Sequence, residues 1–426
     1  MDCNTLGQMF CKIFNREEMV ALARELGFLR RLRGIHPLDF VLAVMACAMG
    51  DETRSIASAR RLFFGVTGYM PEESSFYDRF TAGAAEMMKH LFLKALECST
   101  EAERRALVEA LGGRGIIDLW AADATQVTLP RSAAWDFPST NEAHGGVKVT
   151  ATLSVLFQKL ERIEITDALT SDRKALRLPR WLHGVLLVLD LGYFDHRLFA
   201  DIERRGGFFV SRLKENSFPV IETIRSGLGQ GHVGEALDGD LPYRGVVDVD
   251  ARFTVRGNKS RVFRVLRVPV LVETRDGGVF RDDLWFVTNL PAEQFSAETI
   301  ATLYRYRWEI EQLFRTLKTV GRLDQLRSAN AEVIHVFIYA TLLGMTLAQD
   351  VCAQMRRARP HIEPSLYRVF ALLLRSLPDI VDAMGTRRFR EQLAALERAL
   401  WREGVNPNPG RHYKSTLYAK ELRHAA

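Results

Sequence analysis

The hydrophobic positions of the first 110 residues recur at intervals of three and four, the spacing of amphipathic helices. This periodicity predicts helices over Glu17–Leu29, Pro37–Met49, Ser55–Phe64 and Ser75–Leu96. Several arginines lie on or between them, namely Arg54, Arg60, Arg61 and Arg79. Short helices joined by tight turns favour a helical DNA-binding domain over residues 1–110. The alternative is a plain helical bundle with solvated arginines.

From about residue 111 the pattern changes to short apolar runs that are typical of strands. Residues 111–213 are predicted to hold five strands and two helices. The strands are Gly115–Asp123, Val147–Leu156, Leu160–Thr166, Val185–Asp190 and Phe208–Arg212, and the helices are Arg173–Trp181 and His196–Arg205. Strands that alternate with helices imply an α/β fold with a mixed sheet flanked by helices.

The remaining sequence predicts an interruption of this sheet and a return to helices. Residues 214–283 are rich in Val, Phe and Arg with glycine-rich turns, which indicates a β-rich insertion. Residues 284–330 return to the sheet at Leu284–Thr288 and continue in a long helix capped by Ser296. Residues 331–426 are predicted to be helical and to end in a basic tail.

Composition narrows the class of protein. The 426 residues are 47% hydrophobic and 26% charged, which is globular and excludes wholesale disorder. Five scattered cysteines without a C-x-x-C pair argue against a disulfide framework or a cysteine zinc site. Together with an N-terminus that lacks a signal-peptide pattern, they predict a cytoplasmic protein. The longest apolar stretches are shorter than the ~20 residues that span a bilayer, so we expect core helices. The net charge of +6 permits a nucleic-acid partner without proving one.

One predicted helix carries a stripe of polar side chains beside its buried face. At about 100° per residue, Tyr304, Arg307, Glu311 and Lys318 fall within an arc of about 60°. A carboxylate flanked by two cations and a phenol suits a metal and phosphate site. The alternative is a helix stabilised by intrahelical pairs such as Arg307 with Glu311.

Two further acids, Asp123 and Asp190, close apolar runs that are predicted to be strands. Acids at the carboxyl ends of strands lie at the sheet edge where α/β proteins bind ligands. With Glu311 they form three carboxylates on three separate elements. Such a set predicts Mg²⁺ or Mn²⁺, and two such ions ~4 Å apart support phosphodiester cleavage.

The spacing Tyr304-x-x-Arg307-x-x-x-Glu311, completed by Lys318, resembles the Y-R-E-K signature of bacterial insertion-sequence transposases of the "IS four" family. Asp123-Ala-Thr125 resembles the first acid motif of that family, and Asp190-x-Gly192-Tyr193 resembles the second. The resemblance covers roughly residues 30–350. Ala124 is a departure, since Ser or Gly is more familiar there.

The resemblance implies an RNase H-like catalytic core, formed by residues 111–213 and 284–330, with a DDE triad of Asp123, Asp190 and Glu311. It implies DNA as the partner, in the form of terminal inverted repeats and target DNA, and a homodimer on paired ends in the nucleoid. Tyr304, Arg307 and Lys318 would contact DNA phosphates near the scissile bond.

Four other residues have weaker or alternative roles. Trp285 resembles a tryptophan that stacks on a flipped base in hairpin-forming members, and its alternative is a place in the strand core. Asp118 is predicted to lie in mid-strand and Asp195 to cap the following helix. Lys148 is predicted to be a surface lysine, with a contact to DNA as its alternative.

Two other functions remain open at this stage. One is an RNase H-like nuclease that cuts DNA without transferring strands. The other is a non-catalytic DNA-binding protein derived from a transposase.

Overall fold

The computed structural model describes the chain in segments: residues 3–32, 34–49, 54–98, 114–155, 159–227, 232–237, 245–255, 259–273, 279–307, 310–311, 314–315, 318 and 326–406. The predicted basic tail beyond residue 406 and the predicted hairpin turns at 257–258 and 276–278 lie outside these ranges. The chain divides into two compact units. We call residues 100–315 the sheet unit, and residues 1–99 together with 316–426 the helical unit.

The sheet unit contains nine described strands in one sheet. They are β1 (Asp118–Leu129), β2 (Gly145–Ser154), β3 (Lys159–Asp167), β4 (Val185–Leu189), β5 (Phe208–Arg212), β6 (Val220–Ser226), β7 (Val247–Val255), β8 (Lys259–Glu273) and β9 (Val279–Thr288). Their order across the sheet is β3-β2-β1-β4-β5-β9-β8-β7-β6. β1, β4 and β5 are parallel, and the other neighbours are antiparallel. The fold is therefore mixed α/β, with a large sheet.

The β-rich segment predicted as an insertion extends this same sheet. β6, β7 and β8 add to it through β9, which pairs with β5 on one side and β8 on the other. β9 runs unbroken from Val279 to Thr288, so the predicted boundary between residues 283 and 284 falls inside a strand. The core beneath the sheet contains buried side chains both from residues 111–213 and from the segment predicted as an insertion. Phe199 and Phe209 are stacked in this core, with ring centroids 4.3 Å apart.

Short helices connect the parallel strands of the sheet unit. α7 (Asp172–Ala175) precedes β4, and α8 (His196–Arg204) joins β4 to β5. α9 (Ala297–Arg305) follows β9 and begins, as predicted, at Ser296, whose Oγ accepts a hydrogen bond from the Thr299 N–H. The described residues between Arg307 and Lys318 are helical again.

The helical unit packs helices from both ends of the chain together. Its N-terminal helices are α1 (Cys3–Ile13), α2 (Arg16–Glu25), α3 (Pro37–Met49), α4 (Ile56–Thr67), α5 (Glu73–Tyr77) and α6 (Ala82–Cys98). Its C-terminal helices are α10 (Ala331–Ala358), α11 (Leu366–Asp382) and α12 (Arg388–Glu403). α10 packs against α3 and α6, and α12 packs against α1. The sequence pattern assigns these helices to two separate regions, residues 1–110 and 331–426, whereas in the structure they pack together.

Arginines of the N-terminal helices are engaged in this packing. Arg54 is only 2% exposed, Arg60 Nε donates to the Pro71 carbonyl at 2.7 Å, and Arg79 lies over the Phe28 ring. These three side chains are thus engaged within the helical unit, whereas Arg61 is exposed.

α10 is longer than the apolar run in the sequence indicates. Its 28 residues are long and apolar enough to cross a membrane by length and composition. Its most apolar window is, however, 78% buried inside the protein. A helix that is hydrophobic on all sides is expected where it lies in the core of a bundle.

Candidate active site

Strand register places two of the predicted acids side by side. β1 and β4 are parallel, and their last residue pair joins Ala122 to Leu189. Asp123 follows Ala122, and Asp190 follows Leu189. Because neighbouring strands lie about 4.8 Å apart, the two acids are adjacent. β1 itself continues to Leu129, so the prediction that Asp123 ends its strand is wrong. The two acids nevertheless lie together where β4 stops.

Arg307 connects the third acid to this pair. Its Nη1 donates to Glu311 Oε1 at 2.5 Å, and its Nε lies 3.9 Å from Asp190 Oδ1. Tyr306, the turn residue after α9, keeps helical angles of φ −64° and ψ −12°, so the faces before and after it stay aligned. One guanidinium therefore contacts two of the three predicted triad carboxylates.

The electrostatics of Asp123 connect all three acids. The pKa of Asp123 is raised to about 6, chiefly by burial and to a smaller extent by the negative charges of Asp190 and Glu311. The Ala124 N–H, which donates to Asp123 Oδ1 at 2.8 Å, and the positive charge of Arg307 oppose this rise. The three carboxylates thus lie within electrostatic reach of one another and repel.

The three acids fit a divalent metal ion by the chemistry of their oxygen atoms and not by their positions in the structure. Within the described part of the chain, no three His, Cys, Asp or Glu side chains are gathered closely enough to hold an ion. Three mutually repelling carboxylates nevertheless form the oxygen donor set that hard cations prefer. Glu311 already pairs with Arg307 through Oε1, so a cation held by Glu311 would compete with this ion pair for the carboxylate's charge.

Tyr304 is a buried neighbour of Arg307. It is 9% exposed, its ring packs against Phe286 with centroids 5.1 Å apart, and the Arg307 guanidinium lies over it at 5.8 Å. Burial raises the pKa of Tyr304 to about 12, with a smaller rise from Asp190. The ring therefore supports Arg307.

The other two predicted DNA-contacting residues are Trp285 and Lys318. Trp285 is partly buried on β9 and packs against the core of the sheet unit, which favours its strand-core alternative. Lys318 is exposed and belongs to the helical unit.

Arg212 is a site residue that the sequence reasoning missed. Leu189 pairs with Ser211 in the parallel register of β4 and β5, so Arg212 lies next to Asp190 in the row that begins at Asp123. Its Nε is buried without a hydrogen-bond partner among the described residues. The sequence does show that Arg212 ends a predicted strand. Its position beside Asp190, however, follows only from the register of the strands.

Lys148 is the opposite case, because its predicted place at the surface is wrong. It is 6% exposed, and its Nζ donates to Asp172 Oδ1 at 2.7 Å and to the Thr170 carbonyl at 2.5 Å. α7, which begins at Asp172, packs against the Leu191–Tyr193 turn that follows Asp190. The buried ion pair therefore supports the loop that carries the second acid.

Two other acids have structural roles: Asp195 is a helix cap, as predicted, whereas Asp118 is the first residue of β1 and does not lie in mid-strand as predicted. Asp195 caps α8 by accepting hydrogen bonds from the N–H groups of Arg197 and Leu198. Asp118 is buried, and it accepts hydrogen bonds from the Ser154 hydroxyl at 2.9 Å and the Trp120 indole N–H at 2.5 Å. Both carboxylates are thereby occupied within the protein.

Adjacent acids at the end of a parallel strand pair, with a glutamate on a following helix, define a carboxylate site of the type used in phosphodiester chemistry. The chain matches the family described as "Transposase DDE domain" over residues 115–347, which is more than half of its length. It belongs to this family, so the resemblance to insertion-sequence DDE transposases is confirmed.

Named relatives extend the same likeness over nearly the whole chain. The chain is 22% identical over 440 residues to the transposase for insertion sequence element IS231E of Bacillus thuringiensis subsp. finitimus, covering 93% of this chain and 90% of the relative. It is 20% identical over 380 residues to the transposase for insertion sequence element IS1151 of Clostridium perfringens, covering 79% and 78%.

Family membership establishes the protein's general character. It is an enzyme of DDE-type phosphodiester cleavage and transfer, and its family acts on DNA with divalent metal ions. The family also indicates a soluble cytoplasmic protein.

Proposed function

We propose that this enzyme binds the ends of an insertion sequence, cleaves the phosphodiester bonds there, and transfers the ends into target DNA. Asp123, Asp190 and Glu311 form the triad. The observation that carries this proposal is the register that places Asp123 beside Asp190, with Arg307 reaching from Asp190 to Glu311.

The proposed core is RNase H-like and built from residues 111–213 and 284–330. Its support is the sheet order, in which the antiparallel strands β3, β2 and β1 are followed by the parallel strands β4 and β5. In the same scheme residues 1–110 form the DNA-binding domain, 214–283 the insertion and 331–426 the C-terminal region.

The proposed triad would hold Mg²⁺ or Mn²⁺, which activates a water or 3′-hydroxyl and stabilises the leaving oxygen. Arg307, once separated from Glu311, is placed to bind a DNA phosphate beside Asp190. Tyr304 orients Arg307 through its ring, and its own contact with a DNA phosphate rests on the family resemblance. Arg212 supplies a second cation on the other side of Asp190.

The remaining contacts rest on the family resemblance. Lys318, which is exposed, would bind a DNA phosphate near the scissile bond, and Trp285 would stack on a flipped base. We also propose a homodimer on paired ends and association with the nucleoid.

A strand-transfer assay with DNA carrying the element ends tests the proposal. The Glu311→Gln variant is expected to bind these ends normally but neither cleave nor transfer them, because a neutral amide does not hold the cation. Glu298→Gln, in the exposed first turn of α9, is the matched control and is expected to retain both steps.

Normal cleavage by Glu311→Gln would contradict the triad assignment. Cleavage without transfer by the unchanged protein would instead identify a nuclease. DNA binding without metal-dependent cleavage would identify a non-catalytic derivative.

A further inference from the structure

A basic groove lies on the sheet unit beside the predicted catalytic acids. It is an open depression of about 640 Å³ between α8 and the segment that follows α7. Five arginines line it, and we call it the arginine groove: Arg173, Arg177, Arg197, Arg204 and Arg205.

Acidic groups neutralise only part of this positive charge. Asp195 pairs with Arg173, and Asp201 pairs with both Arg204 and Arg205. Five arginines against these two aspartates leave three uncompensated positive charges in the lining.

Two of the five arginines are unpaired. Arg177 and Arg197 are exposed and form no ion pair with any other described residue. Guanidinium groups in this state are available to bind phosphate through two parallel hydrogen bonds.

The arginine groove begins at the loop that carries the second acid. Asp190 is followed by the Leu191–Tyr193 turn and then by Asp195, which lines the groove and caps α8. α7, which packs against the same turn, leads into the opposite wall. A DNA strand that is bound at Asp190 therefore has the groove directly beside it.

We propose that the arginine groove binds the phosphodiester backbone of duplex DNA next to the phosphate that is cleaved. An open depression with several separate, exposed guanidinium groups matches a repeating polyanion better than a single small anion. This inference rests on the proposed function, and it adds a DNA contact outside the triad and the Y-R-E-K residues. The duplex is either the flank of the element end or the target DNA.

The test measures DNA affinity against salt for the full-length protein. The probes are two labelled duplexes of roughly 30 base pairs, one with the element end and one of random sequence, since backbone contacts are read from the salt slope. The test variant is Arg177→Ala with Arg197→Ala. The control is Arg252→Ala with Arg261→Ala, which removes two exposed arginines of β7 and β8 outside the groove.

Loss of two phosphate contacts is expected to reduce the salt slope by about 1.8. Between 50 and 200 mM salt, the affinity of the unchanged protein should then fall about 12-fold more than that of the test variant. Replacing both groove arginines by lysine should restore most of the slope. An effect on the element-end duplex alone assigns the groove to the flank, and an effect on both duplexes assigns it to general backbone contact such as target DNA.

A salt slope of the test variant equal to that of the unchanged protein would refute DNA binding by the arginine groove. A reduction of the slope no larger than in the control would refute it as well. Either result would leave the proposed function intact. Failure of the unchanged protein to bind either duplex would instead refute the proposed function itself, and the groove with it.

Discussion

The environment of Asp123 predicts that removing its charge stabilises the protein while abolishing its activity. Its pKa rises from 3.8 to about 6, first because of burial and then because of Asp190 and Glu311. At about 1.4 kcal/mol per pH unit, this rise corresponds to about 3 kcal/mol. Because the side chain is partly exposed, solvent screening reduces the expected effect to about 1–2 kcal/mol.

The sign of the pH dependence follows from the direction of the shift. An acid whose pKa is raised on folding destabilises the native state when ionised, so the cost is absent below about pH 4 and complete above about pH 6. Asp123→Asn carries no charge, yet it can still accept the Ala124 N–H. Its stability advantage over the unchanged protein is therefore expected to grow between pH 4 and pH 6 and then stay constant.

The assay is thermal unfolding with EDTA at several pH values between 4 and 8. For a unit of this size, the expected advantage at pH 8 is about 3–6 °C. Asp136→Asn, which changes an exposed aspartate of the same unit, is the control and should show no such trend. Adding Mg²⁺ should stabilise the unchanged protein more than Asp123→Asn. An Asp123→Asn variant that is no more stable at pH 8, or equally favoured at pH 4, would refute the reasoning.

Three other substitutions test individual contacts. Arg212→Ala is expected to slow cleavage about 100-fold, because it removes a cation beside the reacting phosphate, and Arg212→Lys should have an intermediate rate. Unchanged single-turnover rates would exclude that role. Lys148→Met should cost about 2–3 kcal/mol in urea unfolding because it leaves the Asp172 carboxylate unpaired, and a loss below about 1 kcal/mol would show that the pair is dispensable. Lys318→Ala should lower the salt slope of DNA binding by about 1, and an unaltered slope would rule out a phosphate contact.

The sequence predicts the presence of the strands better than the residues at which they end. The β1 prediction stops at Asp123 because a charged residue normally ends a buried run. In the structure, the residues from Thr125 to Leu129 alternate between buried and exposed, as in a strand with one solvated face. That alternation is visible in the sequence. The pairing that unites β9 across residues 283 and 284, or α10 with α3 and α6, is not visible, because periodicity carries no information about distant partners.

The same distinction separates the site residues that were found from those that were missed. Asp123 and Asp190 could be placed together because parallel strands bring their carboxyl ends to one edge. Arg212 required the register of a third strand, and no local pattern gives that register. Lys148 was misplaced because its partner, Asp172, is 24 residues away along the chain.

Two arginines compensate part of the negative charge that the three acids bring together. Asp123, Asp190 and Glu311 carry three negative charges, against which the site sets the guanidinium groups of Arg307 and Arg212. Arg307 compensates Asp190 and Glu311 together, and Asp123, which lacks a direct ion pair among the described residues, shows the raised pKa. Arg307 is bonded to Glu311 through Oε1, and a divalent cation held by the other oxygen would weaken the attraction between Arg307 and Glu311. Arg307 would then be more available to a DNA phosphate, so that metal binding and substrate binding would favour each other.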